Sequence, residues 1–266
     1  MVPGCFAYQG EFMDLPFMTA WLDDLLDPKS FNDYCVNGLC VEANDKVTRI
    51  VTGVSLRDQL IDAAIEEKAD CIIVHHPNGF WKGESQLPVG KFAERLRKLM
   101  NNGISVFGFH LPLDGHREIG NNAVIAKLLG LNPVHEFVHV GMRAIGVIAE
   151  WNTPATREEF VDCLDAAFVH GVQNKFFHGP EEIKRVAICS GSCSASDIKE
   201  ALEMNCDAYV TGSIKEDIPI FCQENVVNLA SCGHHRTEIF GVSALSEKIQ
   251  AELSIPSRFI DLDNPI

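Results

Sequence analysis

Two pairs of adjacent histidines are the residues in this sequence best suited to chemistry. His75-His76 and His234-His235 each lie beside the end of a predicted strand, and Glu238 follows His234 by four residues. On a helix, that spacing puts the imidazole and the carboxylate on one face. Both groups are ligands that borderline divalent ions prefer, and a carboxylate can bridge two ions. The alternatives are hydrogen-bonded histidines in a loop and a carboxylate that interacts with the dipole at a helix N-terminus.

A third segment with the same chemistry is FHLPLDGH, at residues 109–116. His110 ends a predicted strand, and Asp114 follows in a proline-containing loop, where an aspartate is a good ligand for a hard cation. The alternative for Asp114 is an Asx turn beside Gly115, and in a solvated loop its replacement would change stability by only about ±0.5 kcal/mol. Sites in open α/β sheets form outside the carboxyl ends of the strands. Three such segments at three strand ends therefore predict a metal site.

Trp81 and Lys82 follow the first histidine pair closely and are candidate substrate-binding residues. Trp81 could form one wall of a base-sized pocket and Lys82 could bind a phosphate group; the alternative is a packed loop with a solvated lysine. The sequence has no G-x-S-x-G, no G-x-x-x-x-G-K-[ST], and no G-x-G-x-x-G after its first strand. A serine hydrolase, a P-loop protein and a dinucleotide-binding fold are therefore disfavoured.

Alternating strand and helix patterns supply the elements that would position these segments. The spacing of Phe17, Trp21 and Leu25, with Met18, Leu22 and Leu26 beside them, predicts an opening helix. Thr156 with Glu159 predicts a helix capping box. The other predicted elements are strands at 47–54, 71–74, 104–110, 186–192, 208–211, 226–231 and 257–263, helices at 56–68, 89–102, 122–130 and 196–204, an antiparallel pair at 136–140 and 143–151, and one long C-terminal helix at 233–253. This order predicts an α/β fold with mixed and parallel sheets.

The composition restricts the partners and the cellular compartment. The chain has 266 residues, with 22 Lys and Arg against 37 Asp and Glu and a formal net charge of −15, which disfavours binding to nucleic acid or to an anionic membrane surface. No apolar run approaches ~20 residues, and the first 17 residues lack the basic segment of a signal peptide. The ten cysteines are scattered, as is typical of reduced thiols in a cytoplasmic protein. Metal binding by Cys189 and Cys193 is the alternative for the closest pair.

Several motifs, in order along the chain, resemble those of one known family. They are VNGLCVEA near residue 36, HHPNGFWKGE, FHLPLDGHREIGNN, DAYVTGSIKED, GHHRTEIFGV and FIDLDNP. Together they are similar to the NIF-three-like dinuclear-metal family, whose members include GTP cyclohydrolase I type 2 homologues. The resemblance runs from about Asn37 to Pro265 and is specific as a combination.

The resemblance implies a two-lobed α/β protomer of NIF-three-like fold, a two-metal site between the lobes and a toroidal homohexamer. We assign residues 1–132 with 225–266 to the metal-binding lobe and residues 133–224 to an inserted lobe. Glu238 would bridge two ions of zinc, iron or manganese, among which this ligand set does not select. Ser213 stands where the family usually has an acidic residue. The family pattern pairs the remaining ligands on the two ions as His76 with Asp114 and His75 with His234.

The activity that the resemblance implies is metal-dependent hydrolysis of GTP. The steps are attack at the imidazole carbon of guanine, ring opening, release of formate and formation of a dihydroneopterin triphosphate. His110 or His235 would move protons near neutral pH. The same ligands suit a phosphoester or amide hydrolase, and a metal-dependent binding or regulatory protein with structural ions is the alternative of a different class. Open coordination positions and a pocket beside the site would favour an enzyme.

Overall fold

The computed structural model describes residues 12–82 and 87–266. Its strands are β1 (Met13–Asp14), β2 (Gly38–Val41), β3 (Lys46–Val47), β4 (Ile50–Ser55), β5 (Cys71–His76), β6 (Ser105–Gly108), β7 (Asn132–Val140), β8 (Arg143–Thr156), β9 (Asn174–Phe177), β10 (Glu182–Ser192), β11 (Ala208–Ser213), β12 (Asn228–Ser231) and β13 (Ser257–Phe259). Its helices are α1 (Leu15–Leu26), α2 (Asp58–Glu66), α3 (Gly90–Asn101), α4 (Leu111–Asp114), α5 (Asn121–Leu128), α6 (Arg157–Ala167), α7 (Ala195–Glu203), α8 (Asp217–Glu224), α9 (His234–Thr237) and α10 (Ile239–Leu253). Over these two ranges, none of the helices is both long and apolar enough to span a membrane.

The chain divides into two compact units. The first unit comprises residues 1–113 and 242–262, and the second comprises residues 114–241 and 263–266. The inserted lobe predicted at residues 133–224 stays a prediction. In the second unit, α5 packs into the apolar core, and the Thr237 hydroxyl of α9 accepts a hydrogen bond from Gly191 N of β10.

The first unit is built on a five-stranded sheet with the order β13-β4-β5-β6-β2. Strands β13, β4, β5 and β6 are parallel, and β2 is antiparallel to β6. The apolar runs of β4 and β5 are buried along nearly their whole length, as expected of parallel strands with both faces covered. Leu60 of α2 and Leu99 of α3 pack in the core on this sheet. This packing holds the carboxyl ends of β5 and β6 side by side.

The second unit is built on a six-stranded sheet with the order β7-β8-β10-β11-β12-β9. Its central strands β10, β11 and β12 are parallel, and β7, β8 and β9 pair with their neighbours in antiparallel fashion. The predicted antiparallel pair is confirmed as β7 and β8. The capping box is also confirmed, since the Thr156 side chain accepts from Glu159 N and Glu159 accepts from Thr156 N. Local sequence signals were therefore sufficient to predict these elements.

The predicted opening helix is confirmed as α1, whose buried residues include Met18, Leu22 and Leu26, whereas Phe17 is 39% exposed. The C-terminal helix differs from its prediction. The prediction of one long C-terminal helix is wrong, because the chain leaves helical geometry at Glu238 (φ −115°, ψ 2°), between α9 and α10. The Thr237 hydroxyl accepts a hydrogen bond from Gly191 N of β10 and contacts the backbone oxygens of Gly233 and His234. These contacts fix the short helix α9 against β10.

Candidate metal centre

Three histidines of the first unit meet at the carboxyl end of its parallel sheet. His75 and His76 end β5, and His110 follows the adjacent strand β6. One ring nitrogen of each lies within 4.8 Å of the others, and the His75 and His76 ring centroids are 4.6 Å apart. We call these residues the three-histidine cluster. Sheet pairing, rather than proximity in sequence, brings them together.

Each of these rings has a protein partner at Nδ1, and for two of them the partner is a neutral oxygen. His75 Nδ1 lies 3.0 Å from the backbone oxygen of Phe109, and His76 Nδ1 lies 3.2 Å from Ser55 Oγ. A carbonyl oxygen only accepts, so His75 Nδ1 carries the proton and the lone pair of the neutral ring is on Nε2. A partner behind the ring is the usual arrangement around a metal-binding histidine. We therefore assign the ligand role in His75 to Nε2.

Asp33 is a residue of this region that no sequence motif includes. Its carboxylate is buried, lies 3.0 Å from His110 Nδ1, and accepts hydrogen bonds from Asn37 Nδ2 at 2.9 Å and Leu111 N at 3.0 Å. Burial alone raises the pKa of this carboxyl; the hydrogen bond and charge of His110, with the other donors, outweigh burial and lower the pKa from 3.8 to about 2. The only sequence signal was its position just before the VNGLCVEA motif, because no spacing rule links residues 77 positions apart.

This lowered pKa predicts a pH-dependent contribution of Asp33 to stability. The contribution is fully present above about pH 4, where the unfolded carboxyl is ionised, and is lost as the pH falls through the folded-state pKa of about 2. A shift of this size corresponds to about 2 kcal/mol. In urea unfolding, the free-energy difference between wild type and Asp33→Asn should therefore shrink by about 1.5 kcal/mol from pH 6 to pH 2.5. A difference of equal size at both pH values would contradict the prediction.

Asp114 lies at the end of α4, in the second unit, and is only 6% exposed. The condition for a small effect on stability, a solvated loop position, is therefore not met. Its Oδ1 accepts hydrogen bonds from Asn121 Nδ2 at 2.8 Å and from Ser190 Oγ at 3.0 Å. The donors come from α5 and β10 and hold the carboxylate in place. Replacement of Asp114 will consequently affect stability more than the replacement of a surface aspartate.

His234 opens α9, and its Nε2 lies 3.3 Å from Glu238 Oε1. On the other side of the ring, Ser213 Oγ lies 3.1 Å from His234 Nδ1 and donates to the backbone oxygen of Gly191 at 3.2 Å. A hydroxyl has a single proton, so Ser213 accepts from His234 Nδ1 and the lone pair of a neutral ring is on Nε2. Ser213, at the position where the family usually has an acidic residue, thus orients His234 towards Glu238.

Two buried carboxylates lie close together in the second unit. An oxygen of Asp114 lies within 4.8 Å of one of Glu238, which is 2% exposed. Glu238 also lies beside the ring of His234, with Nε2 3.3 Å from Oε1. Gly191 leaves open the space beside this pair, since a Cβ there would lie 2.5 Å from Glu238 Oε1. Carboxylates and imidazoles placed in this way are donors that suit divalent cations.

A cavity of about 410 Å³ in the second unit reaches Asp114. Its volume lies within the range of small-molecule sites. Arg117 Nε and Glu136 Oε1, both on its lining, form an ion pair at 2.7 Å between exposed side chains. The rest of the wall includes Asn122 and apolar residues of β8. A small molecule therefore has room beside this carboxylate.

The candidate substrate residue Trp81 lies beside the three-histidine cluster. Its ring centroid is 5.3 Å from that of His110 and 5.8 Å from that of His76. Tyr34, another residue that the sequence analysis did not select, stacks on Trp81 at 5.5 Å and is exposed to solvent. The aromatic rings thus offer a flat apolar surface next to the imidazoles.

The remaining candidate residues, Lys82, His235 and the two cysteines, lie in different environments. Lys82 Nζ donates a hydrogen bond of 2.5 Å to the backbone oxygen of Asp33. His235 is buried, and the groups of possible metal ligands found in residues 12–82 and 87–266 do not include it. The nine cysteines of those ranges, Cys189 and Cys193 among them, are free thiols.

Comparison with known proteins identifies the family. The family model for Duf34/NIF3 (NGG1p interacting factor 3) matches residues 13–265. The GTP cyclohydrolase 1 type 2 homolog of Yersinia pestis is 36% identical over 244 residues, which cover 92% of this chain and 96% of that protein. The homolog of Pseudomonas aeruginosa is 37% identical over 243 residues, which cover 91% and 95% of the two chains. Sequence similarity therefore extends over almost the whole length of both relatives.

Solved structures share the fold. The protein ybgI, of unknown function, matches with a TM-score of 0.88 and 35% identity, covering 96% of this chain and all (100%) of that one. TTHA1606 from Thermus thermophilus matches with a TM-score of 0.83 and 30% identity, covering 96% and 99%. These similarities and the family match confirm the fold that the motifs predicted. The chain belongs to the Duf34/NIF3 family.

Proposed function

We propose that this chain is a metal-dependent hydrolase that binds two divalent ions. The proposed ligands are the five residues that the motifs indicated: His75, His76, Asp114, His234 and Glu238. The observation that carries the proposal is the pair of buried carboxylates, Asp114 and Glu238, beside the orientated ring of His234. Zinc, iron and manganese all suit such ligands.

When bound, two ions would lower the pKa of a water molecule to roughly 7 and polarise the carbon that is attacked. The protein's own contribution is to hold the ligands in fixed orientations. Phe109 O and Ser213 Oγ keep the protons of His75 and His234 on Nδ1. His110 is the better candidate for a proton acceptor than His235, because it lies in the three-histidine cluster.

GTP is the substrate that we propose, since the bacterial relatives carry the name GTP cyclohydrolase 1 type 2 homolog. The stacked rings of Tyr34 and Trp81 suit a planar base. The net charge of −15 disfavours a triphosphate unless ions or a local cation bind it, and Lys82 has further N–H groups for that role. The cavity at Asp114 favours an enzyme over a binding protein with structural ions. Assembly as a homohexamer and location in the cytoplasm stay predictions.

The test of this proposal follows two products from GTP. Metal-loaded wild type should release formate and form a fluorescent pterin in equal amounts. Asp114→Asn should abolish both products, because the amide removes the charge of a proposed ligand while keeping its shape; light scattering should show an unchanged assembly. The matched control is Asp162→Asn, an exposed aspartate of α6, which should keep full turnover.

The outcomes separate the candidate functions. If metal-loaded wild type forms neither product, GTP is not the substrate, and a hydrolase of another phosphoester or amide or a metal-dependent binding protein becomes the better proposal. If Asp114→Asn retains turnover, its role as a ligand is wrong.

A further inference from the structure

The hydrogen bonds around Asp33 point to a role for this residue beyond holding a loop. We infer that Asp33 is a positioning residue, which keeps the proton of His110 on Nδ1 and turns the Nε2 lone pair into the three-histidine cluster. The ionised carboxylate accepts a hydrogen bond from His110 Nδ1. What the orientated ring does in catalysis rests on the proposed function; the orientation itself does not.

The donors around Asp33 decide which group carries the proton. Cys35 N donates to Oδ1 at 3.1 Å, while Leu111 N and Asn37 Nδ2 donate to Oδ2 at 3.0 and 2.9 Å. Groups of this kind act only as donors, so both carboxylate oxygens already serve as acceptors. Three donors around one carboxyl group favour its ionised form, which acts only as an acceptor. The remaining contact, His110 Nδ1 at 3.0 and 3.2 Å from the two oxygens, is therefore a hydrogen bond from the ring to the carboxylate.

The same network fixes the backbone and the plane of the His110 ring. Asn37 Oδ1 accepts from His110 N at 2.8 Å, so Asn37 joins the carboxylate to the backbone of the residue it orients. Tyr34 and Trp81 lie edge-on to the ring, with centroids 5.1 and 5.3 Å away. A ring flip would exchange Nδ1 for a carbon and break the bond to a buried charge. One orientation of His110 is therefore strongly favoured.

Asp33 differs from the partners of the other site histidines. His75, His76 and His234 each have a neutral oxygen at Nδ1, from a backbone carbonyl or a serine. A hydrogen bond to an ionised carboxylate is stronger than one to a neutral oxygen. The ring of His110 is therefore held in its orientation more firmly than the rings of the other site histidines.

The first test uses metal-free wild type and needs no substrate. Long-range ¹H–¹⁵N NMR spectra of protein with labelled histidines distinguish the two neutral tautomers, and the signals that disappear in His110→Gln assign His110. We expect the tautomer with the proton on Nδ1. A proton on Nε2 of the neutral ring would overturn the inference. Since no variant is needed to observe this state, a destabilised variant cannot obscure the result.

The second test compares two aspartates that accept backbone hydrogen bonds in the same unit. Asp33→Asn should alter the His110 tautomer, because the amide no longer offers a charged acceptor to Nδ1. The control Asp70→Asn removes a carboxylate that accepts from Thr48 N and Arg49 N and should leave the tautomer unchanged. Equal effects of the two variants would show a merely structural role and overturn the inference. A wild type that binds no ion would refute the proposed function, while the tautomer of His110 would still test this inference.

Discussion

Glu238→Ala is expected to lose both metal ions, the largest effect of any single ligand replacement. If the carboxylate bridges, each ion loses a charged ligand at once, whereas any other replacement affects one ion directly. Glu238 is buried, and its oxygens face both His234 Nε2 and the Asp114 carboxylate, as a bridging position requires. Elemental analysis after reconstitution should find about two ions per chain in wild type and close to none in the variant.

His235→Ala is the matched control for this loss. It removes a neighbouring buried imidazole that the proposal does not use as a ligand, so both ions should remain. Circular dichroism should show that Glu238→Ala is folded, since the change also removes a negative charge close to Asp114. If the two variants retain equal amounts of metal, the assignment of ligands is wrong.

Gly212→Ala is expected to have the largest effect on stability. A Cβ at this residue of β11 would lie 2.4 Å from the backbone oxygen of Gly191 and 2.7 Å from His234 Cα. Backbone atoms cannot move aside as a flexible side chain does, so β10 or α9 must shift. Overpacking of this kind costs about 3 kcal/mol, which corresponds to a decrease in Tm of roughly 6–12 °C in a chain of this size. Calorimetry of the metal-free protein measures this decrease in Tm directly.

Gly90→Ala tests whether steric overlap of the new Cβ causes the loss of stability expected in Gly212→Ala. A Cβ at Gly90 meets no atom within 4 Å, although its φ of 54° is unfavourable for alanine. Backbone strain alone should cost about 1 kcal/mol. Gly212→Ala should also weaken metal binding, because it displaces α9 and His234, whereas Gly90→Ala should not. Similar destabilisation by both variants would exclude steric overlap at Gly212 as the cause.

The sequence by itself determined the elements whose signals are local. The apolar run of β5 is encoded by consecutive residues, and so is the capping box of Thr156 and Glu159, which the structure confirms. Motifs such as GHHRTEIFGV also identified the family before any contact was known. Local periodicity and residue type were sufficient because hydrogen bonds between near neighbours dominate these features.

The tertiary structure decided the features that depend on residues far apart in the chain. The hydrogen bond between His110 and Asp33 connects residues that are 77 positions apart, and no pattern in the sequence links them. Asp114 was expected in a loop, but it lies at the end of α4, and Ser190 and Asn121 hold it in a buried position. The helix predicted through Glu238 is interrupted at that residue, next to Thr237, which accepts a hydrogen bond from Gly191 of a strand. Each outcome depends on burial and on hydrogen bonds between elements, whose energies outweigh local propensity once the chain is packed.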